Sequence, residues 1–210
     1  MDPTMPAIFT PTESVGNVGE ITAAARASRM AGTPTEDDVI GPYYRAGAPF
    51  RAKISPPMAS GNVLLIAGSI WSFRRRRPIS NCVLDVWQAD AEGHYDNEDP
   101  TQPPSRSMFQ SRARLLSGEH GGYELETILP GPYQMDATTW RSPHLHFLVR
   151  AVGFKTLITQ LFFEGSPYLD TDPFVKPSLI IKLADQSGDV GNYKRGVFQI
   201  VLDDDIEPTV

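Results

Sequence analysis

The sequence is poor in cysteine and has no long apolar run. Its 210 residues include a single cysteine, Cys82, so no disulfide can form within the chain and a cluster of several metal-binding thiolates is excluded. No segment approaches the roughly 18 consecutive apolar residues of a membrane helix, so we expect no membrane partner. The start of the chain lacks a basic segment followed by an apolar one, which predicts no signal peptide and a cytoplasmic location.

Positive charge is also scarce. The chain has 19 basic and 25 acidic residues, which gives a net charge of −6. Proteins that bind nucleic acid gain much of their affinity by neutralising phosphates with basic side chains. The composition therefore argues against nucleic acid as a partner, and its 40% of hydrophobic residues is typical of a soluble folded protein.

The first 33 residues are interpreted as an N-terminal arm. Within them, residues 21–30 (ITAAARASRM) favour a short helix, because alanine and arginine are good helix formers. Gly32, Thr33 and Pro34 would end it. Residues 34–210 are long enough to form one folded domain with a sizeable core.

Short β-like runs separated by turn-forming residues dominate the rest of the chain. The predicted strands are residues 63–72, 82–88, 123–129, 144–151, 156–163 and 197–202. In CVLDVWQ, the apolar residues Cys82, Leu84 and Val86 share one face, and in GVFQIVL every second residue from Phe198 to Leu202 does the same. Six or more strands without a long amphipathic helix predict an all-β fold, a β-sandwich.

Two segments exceed the usual length of a hairpin connection. Residues 92–116 and 168–177 are predicted to be long loops, in keeping with the 19 prolines and 17 glycines of the chain. Long loops on a β scaffold often build a functional site.

Two histidines lie two positions apart in the segment RSPHLHFLVR. On a strand, His144 and His146 would project from the same face, roughly 6.6 Å apart at the backbone, and could bind one cation. The alternative is a pair of buried, hydrogen-bonded histidines. The other two histidines, His94 and His120, lie in glycine-rich turns, and no acidic residue within the strand completes a zinc hydrolase or ferrous triad pattern.

Two tyrosines follow predicted strands in positions where they could complete a metal site. Tyr95 follows VLDVWQAD, and Tyr133 follows YELETILP in a PGPY turn. A free phenol ionises near pH 10, but a bound cation stabilises the anion and lowers that pKa. Phenolate is a hard oxygen donor that suits a hard, highly charged metal. Two phenolates, two neutral imidazoles and one hydroxide would balance the charge of a ferric ion.

Five segments, in this order, resemble the intradiol ring-cleavage dioxygenases and especially the iron-binding chain of the protocatechuate enzymes: GPYYRAGAPFR, VLDVWQADAEGHYDN, TILPGPYQ, WRSPHLHF and LITQLFFEG. The resemblance extends over residues 34–202. It implies an intradiol-type β-sandwich, with residues 34–210 as the catalytic domain. It also implies non-haem Fe(III) as the cofactor, bound by Tyr95, Tyr133, His144 and His146.

The same resemblance implies a role for each site residue. Tyr133 is the axial ligand that leaves when substrate arrives, and Tyr95 stays bound. Arg141 stabilises the negative charge that develops on the ring carbon attacked by O2, and Gln160 orients a ligand or substrate by hydrogen bonding.

The implied substrate is a small aromatic diol, which O2 cleaves between its hydroxylated carbons to a cis,cis-muconate type diacid. Pro42 and Tyr43 would border the substrate pocket, and Tyr43 is the expected ring contact. Met135 would also border it, at a position where protocatechuate enzymes carry tryptophan, so protocatechuate is not the expected substrate.

Three alternatives stay open. The first keeps the chemistry but takes hydroxyquinol or another substituted catechol as the substrate. The second is a transthyretin-like β-sandwich that binds a ligand without reaction. The third is a zinc or copper site at His144 and His146. Because all four predicted ligands lie on one chain, we expect a homo-oligomer, and a second subunit type stays open.

Overall fold

The computed structural model describes residues 33–97, 109–189 and 191–205. The predicted helix at residues 21–30, and all of the predicted arm except Thr33, lie outside these ranges, so the proposed boundary at residues 33 and 34 stays a prediction. Within the described ranges, no helical segment combines the length and the apolar character that a transmembrane span requires.

The described residues form twelve strands and one short 3-10 helix, Pro177–Leu179. The strands are β1 Val63–Ser72, β2 Val83–Gln88, β3 Arg112–Leu116, β4 Gly122–Ile128, β5 Tyr133–Gln134, β6 Trp140–Arg141, β7 His144–Arg150, β8 Leu157–Phe163, β9 Ile180–Ile181, β10 Ala184–Gly188, β11 Gly191–Val197 and β12 Ile200–Leu202. The all-β prediction is confirmed.

Two five-stranded sheets make up the sandwich. In the first sheet, β4 pairs antiparallel with one edge of β1, while β11 and then β12 pair in parallel with its other edge, and β10 lies outside β11. The second sheet has the order β3-β2-β7-β8-β9. Strands β5 and β6 form a separate two-stranded ribbon.

The main core lies between the two sheets. The predicted inward face of β2 is confirmed, because Cys82, Leu84 and Val86 are all buried in this core. From β7, Leu145, Phe147 and Val149 point into the same core. Because side chains on a strand alternate between faces, the remaining residues of β7 must face the other side of the second sheet.

Two strand predictions need correction. The single strand expected at residues 197–202 is interrupted, since β11 ends at Val197 and β12 begins at Ile200. At the break, the Phe198 N–H donates to the carbonyl of Ala67 (2.9 Å), and the Gln199 side chain accepts a hydrogen bond from the N–H of Ser69 (3.0 Å). Local side-chain bonding of this kind competes with the regular ladder.

The prediction of a long loop at residues 92–116 is wrong at the C-terminal end of that range. Residues 112–116 form β3, which pairs with β2 over five residues although two of them are arginines. The alternation of Arg112, Ala113, Arg114 and Leu115 matches the period of a strand, and the side chains of both arginines donate hydrogen bonds to neighbouring segments. Residues 168–177 contain no strand, as predicted.

Candidate metal centre

His144 and His146 lie on β7, on the face of the second sheet that points away from the main core. Both are buried, and their Nε2 atoms are 3.1 Å apart. The Nδ1 atom of His144 lies 2.6 Å from the carbonyl oxygen of Ser142, an acceptor, so Nδ1 carries the proton and Nε2 is left with its lone pair. The His146 Nδ1 has no hydrogen-bond partner among the described residues.

The surroundings keep both imidazoles neutral. Burial lowers the pKa of His144 to about 3, and the nearby positive charge of Arg141 adds to the effect. Burial also lowers the pKa of His146 well below its usual value, with a further contribution from His144. A histidine binds a metal ion through its neutral form, so the pair is ready to act as ligands at neutral pH.

The rings of Tyr95 and Tyr133 meet those of the two histidines. The ring centroids of the two tyrosines are 5.7 Å apart. Tyr133 lies 5.8 Å from His144, and Tyr95 lies 6.4 Å from His146, again between centroids. The structure therefore brings together all four side chains that the sequence nominated as ligands.

The phenol groups would not ionise here without a compensating cation. Burial raises the pKa of Tyr95 well above 10, and the adjacent Tyr133 adds to the rise. Burial likewise raises the pKa of Tyr133, although Arg141 partly opposes it. The Tyr95 hydroxyl is buried with no hydrogen-bond partner in the described part of the chain. A buried polar atom without a partner is costly, and a metal ion at this point would satisfy it.

The donor set fits a hard, highly charged metal ion. Two phenol oxygens and two neutral ring nitrogens converge, and phenolate oxygen is a ligand that such an ion stabilises. Over residues 33–97, 109–189 and 191–205, no three His, Cys, Asp or Glu side chains form a group that could hold a metal. Any metal bound by His144 and His146 must therefore take its other described protein ligands from different residue types, and the tyrosines are at hand.

The two turns that carry the tyrosines pack directly against each other. The carbonyl of Asp90 accepts hydrogen bonds from the N–H groups of Gly93 (3.3 Å) and Gly131 (2.7 Å), one in each turn. A Cβ atom on Gly93 would lie 2.3 Å from the carbonyl oxygen of Pro132, closer than any side chain allows, and its φ is +91°. Only glycine permits this approach, which accounts for the glycine two residues before Tyr95.

Arg141 lies beside Tyr133, in register with it across the β5–β6 ribbon. It is buried, and one of its terminal nitrogens lies 3.4 Å from the Tyr133 hydroxyl oxygen. Its other terminal nitrogen donates to the Oε1 of Gln160 (2.5 Å), and its Nε donates to the Asp172 carboxylate. The structure thus joins Arg141 and Gln160, the two residues predicted to act beside the ligands, in one hydrogen-bonded group.

A cavity of about 350 Å³ opens next to the two tyrosines. Its lining consists of Tyr43, Glu92, Gly93, His94, Tyr95, Pro132, Tyr133, Gln134 and Trp140. Tyr43 is stacked on Tyr95, with centroids 4.2 Å apart and planes within 10°. The structure does not bring the other two nominated pocket residues to this lining: Pro42 is exposed, and the side chain of Met135 is at the surface with 44% of the residue exposed.

Three residues that support the site were not among the predicted site residues. Trp87 stacks on His146, with centroids 4.7 Å apart and planes within 2°. Gly41, at φ +73°, approaches His146 so closely that an added Cβ would lie 3.3 Å from its Cε1 atom. Arg112 is buried and bonds to Asp96 next to Tyr95. Trp87 and Gly41 belong to the motifs quoted above, whereas nothing in the sequence marks Arg112.

Comparison with known proteins agrees with the resemblance seen in the sequence. The sequence profile of the dioxygenase family matches residues 39–204. The chain is 34% identical to a 6-chlorohydroxyquinol 1,2-dioxygenase of Cupriavidus pinatubonensis, over 84% of this chain and 66% of that one. The crystal structure of 3-chlorocatechol 1,2-dioxygenase from Rhodococcus opacus 1CP superposes with a TM-score of 0.74 and 26% identity, over 87% of this chain and 78% of that one.

A second solved structure matches this chain over almost the whole of its own length. It is the dioxygenase domain of a dioxygenase and carbohydrate-binding protein fusion from Streptomyces sp. SirexAA-E, with a TM-score of 0.67 and 32% identity over 81% of this chain and 99% of that one. By contrast, the chain spans 55% to 66% of the length of four curated relatives. The family profile covers most of the chain, and the chain belongs to the intradiol ring-cleavage dioxygenase family.

Proposed function

We propose that the chain cleaves a small catechol-type ring between its two hydroxylated carbons with O2, using a non-haem ferric ion, and releases a cis,cis-muconate type dicarboxylic acid. The observation that carries the proposal is the convergence of one buried phenol, one half-buried phenol and two neutral imidazoles beside a cavity of about 350 Å³. The named relatives support the same reaction type, since they are described as 1,2-dioxygenases of hydroxyquinols and catechols.

The ligands in this proposal are Tyr95, Tyr133, His144 and His146. Bound ferric iron would supply a Lewis-acidic centre that draws electron density from a deprotonated diol and so opens the ring to O2. The protein would select a highly charged ion through the environment of its two phenols. Two phenolates would be favoured only next to a strong positive charge, because burial raises the pKa of both phenols.

The two tyrosines take different parts. Tyr133 borders the cavity and is half-buried, so of the two tyrosines it would be the one to give way to a diol, and its phenolate oxygen would accept a diol proton and become the neutral phenol. Tyr95 is only 6% exposed and lies beneath Tyr43, so it stays in place.

Arg141 and Tyr43 act on the substrate and its ring. The buried guanidinium of Arg141 lies beside Tyr133, so it can stabilise the anionic character that develops on the diol. Gln160 holds one terminal nitrogen of that guanidinium. Tyr43 offers an aromatic wall against which a flat ring packs.

The substrate is a diol of this class, and the proposal leaves its substituents to experiment. Purified protein loaded with Fe(III) should be coloured, because phenolate ligands on a ferric ion give a visible charge-transfer band. It should consume O2 with catechol, hydroxyquinol or protocatechuate as substrate, and the three rates rank the ring substituents. A colourless protein that binds catechol without O2 uptake would favour a binding module, and zinc or copper found by elemental analysis would favour another metal site.

The proposed role of Tyr133, to give way to the diol and accept one of its protons, is tested by Tyr133→Phe. This variant keeps the ring and removes the hydroxyl. General acid–base assistance is worth about 10²- to 10⁴-fold, so kcat should fall by about that factor. Iron content, measured by elemental analysis, should stay close to that of the wild type. Complete loss of iron from this variant would contradict the assigned role.

A further inference from the structure

Asp172 lies in the segment 168–177, and its carboxylate accepts several hydrogen bonds close to the site. Its side chain is fully buried. Its two oxygens accept hydrogen bonds from the Nε of Arg141 (3.1 and 2.9 Å), and also from the backbone N–H groups of Ser142 (2.8 Å) and Phe174 (3.0 Å). The carboxylate thus joins its own loop to the residues immediately before His144.

The same guanidinium reaches two other groups. One terminal nitrogen lies 3.4 Å from the Tyr133 hydroxyl oxygen, and the other donates to Oε1 of Gln160 (2.5 Å). The Nε2 of Gln160 then donates to the Asp38 carboxylate (3.3 Å) and to the carbonyl of Val39 (3.2 Å). Arg141 therefore connects three segments of the chain, those of Tyr133, Gln160 and Asp172.

The planarity of a guanidinium makes Asp172 decisive for this geometry. The Nε–H and the two terminal NH2 groups lie in one plane, so fixing the Nε–H direction also fixes where the terminal nitrogens of Arg141 point. Phe174, from the same loop, packs against the guanidinium face at 4.4 Å from its ring centroid. The loop thus restrains both the edge and the face of the group.

We propose that Asp172 is a positioning residue for the ring cleavage proposed above, on which this inference rests. It directs one Arg141 terminal nitrogen at the Tyr133 hydroxyl oxygen, so that a donor is already in place for the anionic oxygen that occupies this point during turnover. Asp172 is neither a cavity-lining residue nor a predicted ligand, and the only side chain it bonds among the described residues is that of Arg141, so its proposed effect on the reaction passes through that guanidinium.

The test compares Asp172→Asn with a matched control, Asp204→Asn. Asp204 is also fully buried, lies near an arginine (Arg75, 2.9 Å), and accepts a hydrogen bond from a backbone N–H, that of Arg74, but it lies beside β1, in the other sheet. Asp172→Asn should lower kcat by about 10- to 100-fold, the range found when a partner of a metal site's ligands is changed. Iron content should stay at the wild-type value, and KM should change less than kcat. The control should leave kcat within about twofold.

A readout that needs no iron tests the geometry directly. In the iron-free protein, the Nε–H proton of Arg141 should exchange slowly with solvent by NMR, and Arg141→Lys identifies its signal by removing it. Asp172→Asn should shift this signal and speed its exchange at least tenfold, whereas Asp204→Asn should leave it unchanged. An unchanged signal in Asp172→Asn would overturn the proposal.

A double variant separates positioning from general loss of structure. If Asp172 acts through Arg141, then kcat of Asp172→Asn/Arg141→Lys should equal that of Arg141→Lys, because the two losses are not additive. Additive losses, or an equal fall of kcat in Asp204→Asn, would overturn it. If Asp172→Asn does not fold, Asp172→Glu takes its place, since it keeps the charge and displaces the carboxylate; wild-type kcat in that variant would also overturn it.

Failure of the underlying function gives a different result. If the wild type consumes no O2 with any diol, the proposed function fails, while the exchange of the Arg141 Nε–H still reports whether Asp172 holds the guanidinium. If the wild type is active and both the NMR signal and kcat are insensitive to Asp172, only the positioning role fails.

Discussion

The two tyrosines of the centre have the same chemistry but sit in unlike surroundings. Tyr95 is 6% exposed, is stacked on Tyr43, and is followed by two residues whose side chains bond to the buried Arg112. Tyr133 is half-buried, lies in a strand of only two residues, and borders the open cavity. One ring is enclosed by packing, and the other lies on a short ribbon with open space beside it.

The contrast explains how one centre could keep one phenolate and release the other. A ligand that must stay gains from neighbours that leave it no alternative position, and a ligand that must move needs space beside it and a partner to receive it. The cavity supplies the space next to Tyr133, and Arg141 lies 3.4 Å from its hydroxyl oxygen. Each prediction below tests one side of this comparison.

The largest effect is expected from removing the fixed hydroxyl. Changes to groups around metal ligands typically weaken metal binding by about 10- to 100-fold, so loss of the Tyr95 oxygen should cost more, on the order of 10³-fold. Tyr95→Phe should therefore lose iron on dialysis against a chelator under conditions in which Tyr133→Phe retains it. Equal iron loss from both variants, measured by elemental analysis, would remove the distinction between the two tyrosines.

The buried Arg112, which bonds to the residues after Tyr95, should contribute most to stability. The buried side chain of Arg112 donates to Asp96 (2.7 Å), to Asn97 (2.5 Å) and to the carbonyl of Tyr43 (2.5 Å), and both members of the Arg112–Asp96 ion pair are buried. Removing one partner of a buried ion pair costs about 3–5 kcal/mol, because the other charge is left uncompensated. Arg112→Met should lower the free energy of unfolding in urea by that amount.

The exposed pair Lys53–Glu126 provides the control for Arg112→Met. Both side chains are about half in solvent, at 52% and 42% exposure. Exposed ion pairs contribute about 0–1 kcal/mol, so Lys53→Met should change the unfolding free energy by no more than that. A similar loss of unfolding free energy in the two variants would mean that Arg112 does not stabilise the region around Tyr95.

The four predicted ligands could be named from the sequence because their positions follow from short-range rules. The strand period places His144 and His146 on one face, and the two tyrosines close turns that directly follow strands, so little tertiary information was needed. The order of the segments supplied the rest through family resemblance. The alternation in CVLDVWQ predicted the inward face of β2 for the same reason.

The supporting residues could not be found that way, because their roles depend on contacts between distant segments. Arg112 bonds to Tyr43, 69 positions away, and Asp172 bonds to Arg141, 31 positions away. The sequence shows an arginine and an aspartate but not which segments will meet. The break at Phe198 was missed likewise, since it follows from the approach of β1, where a Cβ on Gly68 would lie 1.8 Å from the Phe198 carbonyl oxygen.

At Gly41, the segment that leads to Tyr43 comes close to His146. A side chain there would meet the His146 Cε1 atom at 3.3 Å, and the positive φ of +73° disfavours any residue with a Cβ. Left-handed backbone costs roughly 1–2 kcal/mol for such a residue. Gly41→Ala should lower the unfolding free energy by about that amount. It should also weaken iron binding, because the ring of His146 must give way.

Gly47 is the matched control for Gly41→Ala. It has φ +95° but nothing within 4 Å of an added Cβ. Gly47→Ala should therefore show the backbone cost alone and leave iron content unchanged. If both variants bound iron as the wild type does, the close approach of Gly41 would not help to orient His146.

The smallest effect is expected from the ring that covers Tyr95. Tyr43→Leu keeps an apolar wall but removes the stacked contact at 4.2 Å, and aromatic pairs contribute about 0.5–1.5 kcal/mol beyond the area they bury. Iron should be retained, since Arg112 still holds the residues after Tyr95, while KM for catechol should rise more than kcat falls. Tyr44→Leu is the neighbouring control, because Tyr44 packs against Trp87 at 4.9 Å and does not line the cavity. If Tyr44→Leu raised KM as much as Tyr43→Leu, the ring of Tyr43 would not be the wall against which the substrate packs. The position of Tyr95 would then depend on Arg112 and not on stacking with Tyr43.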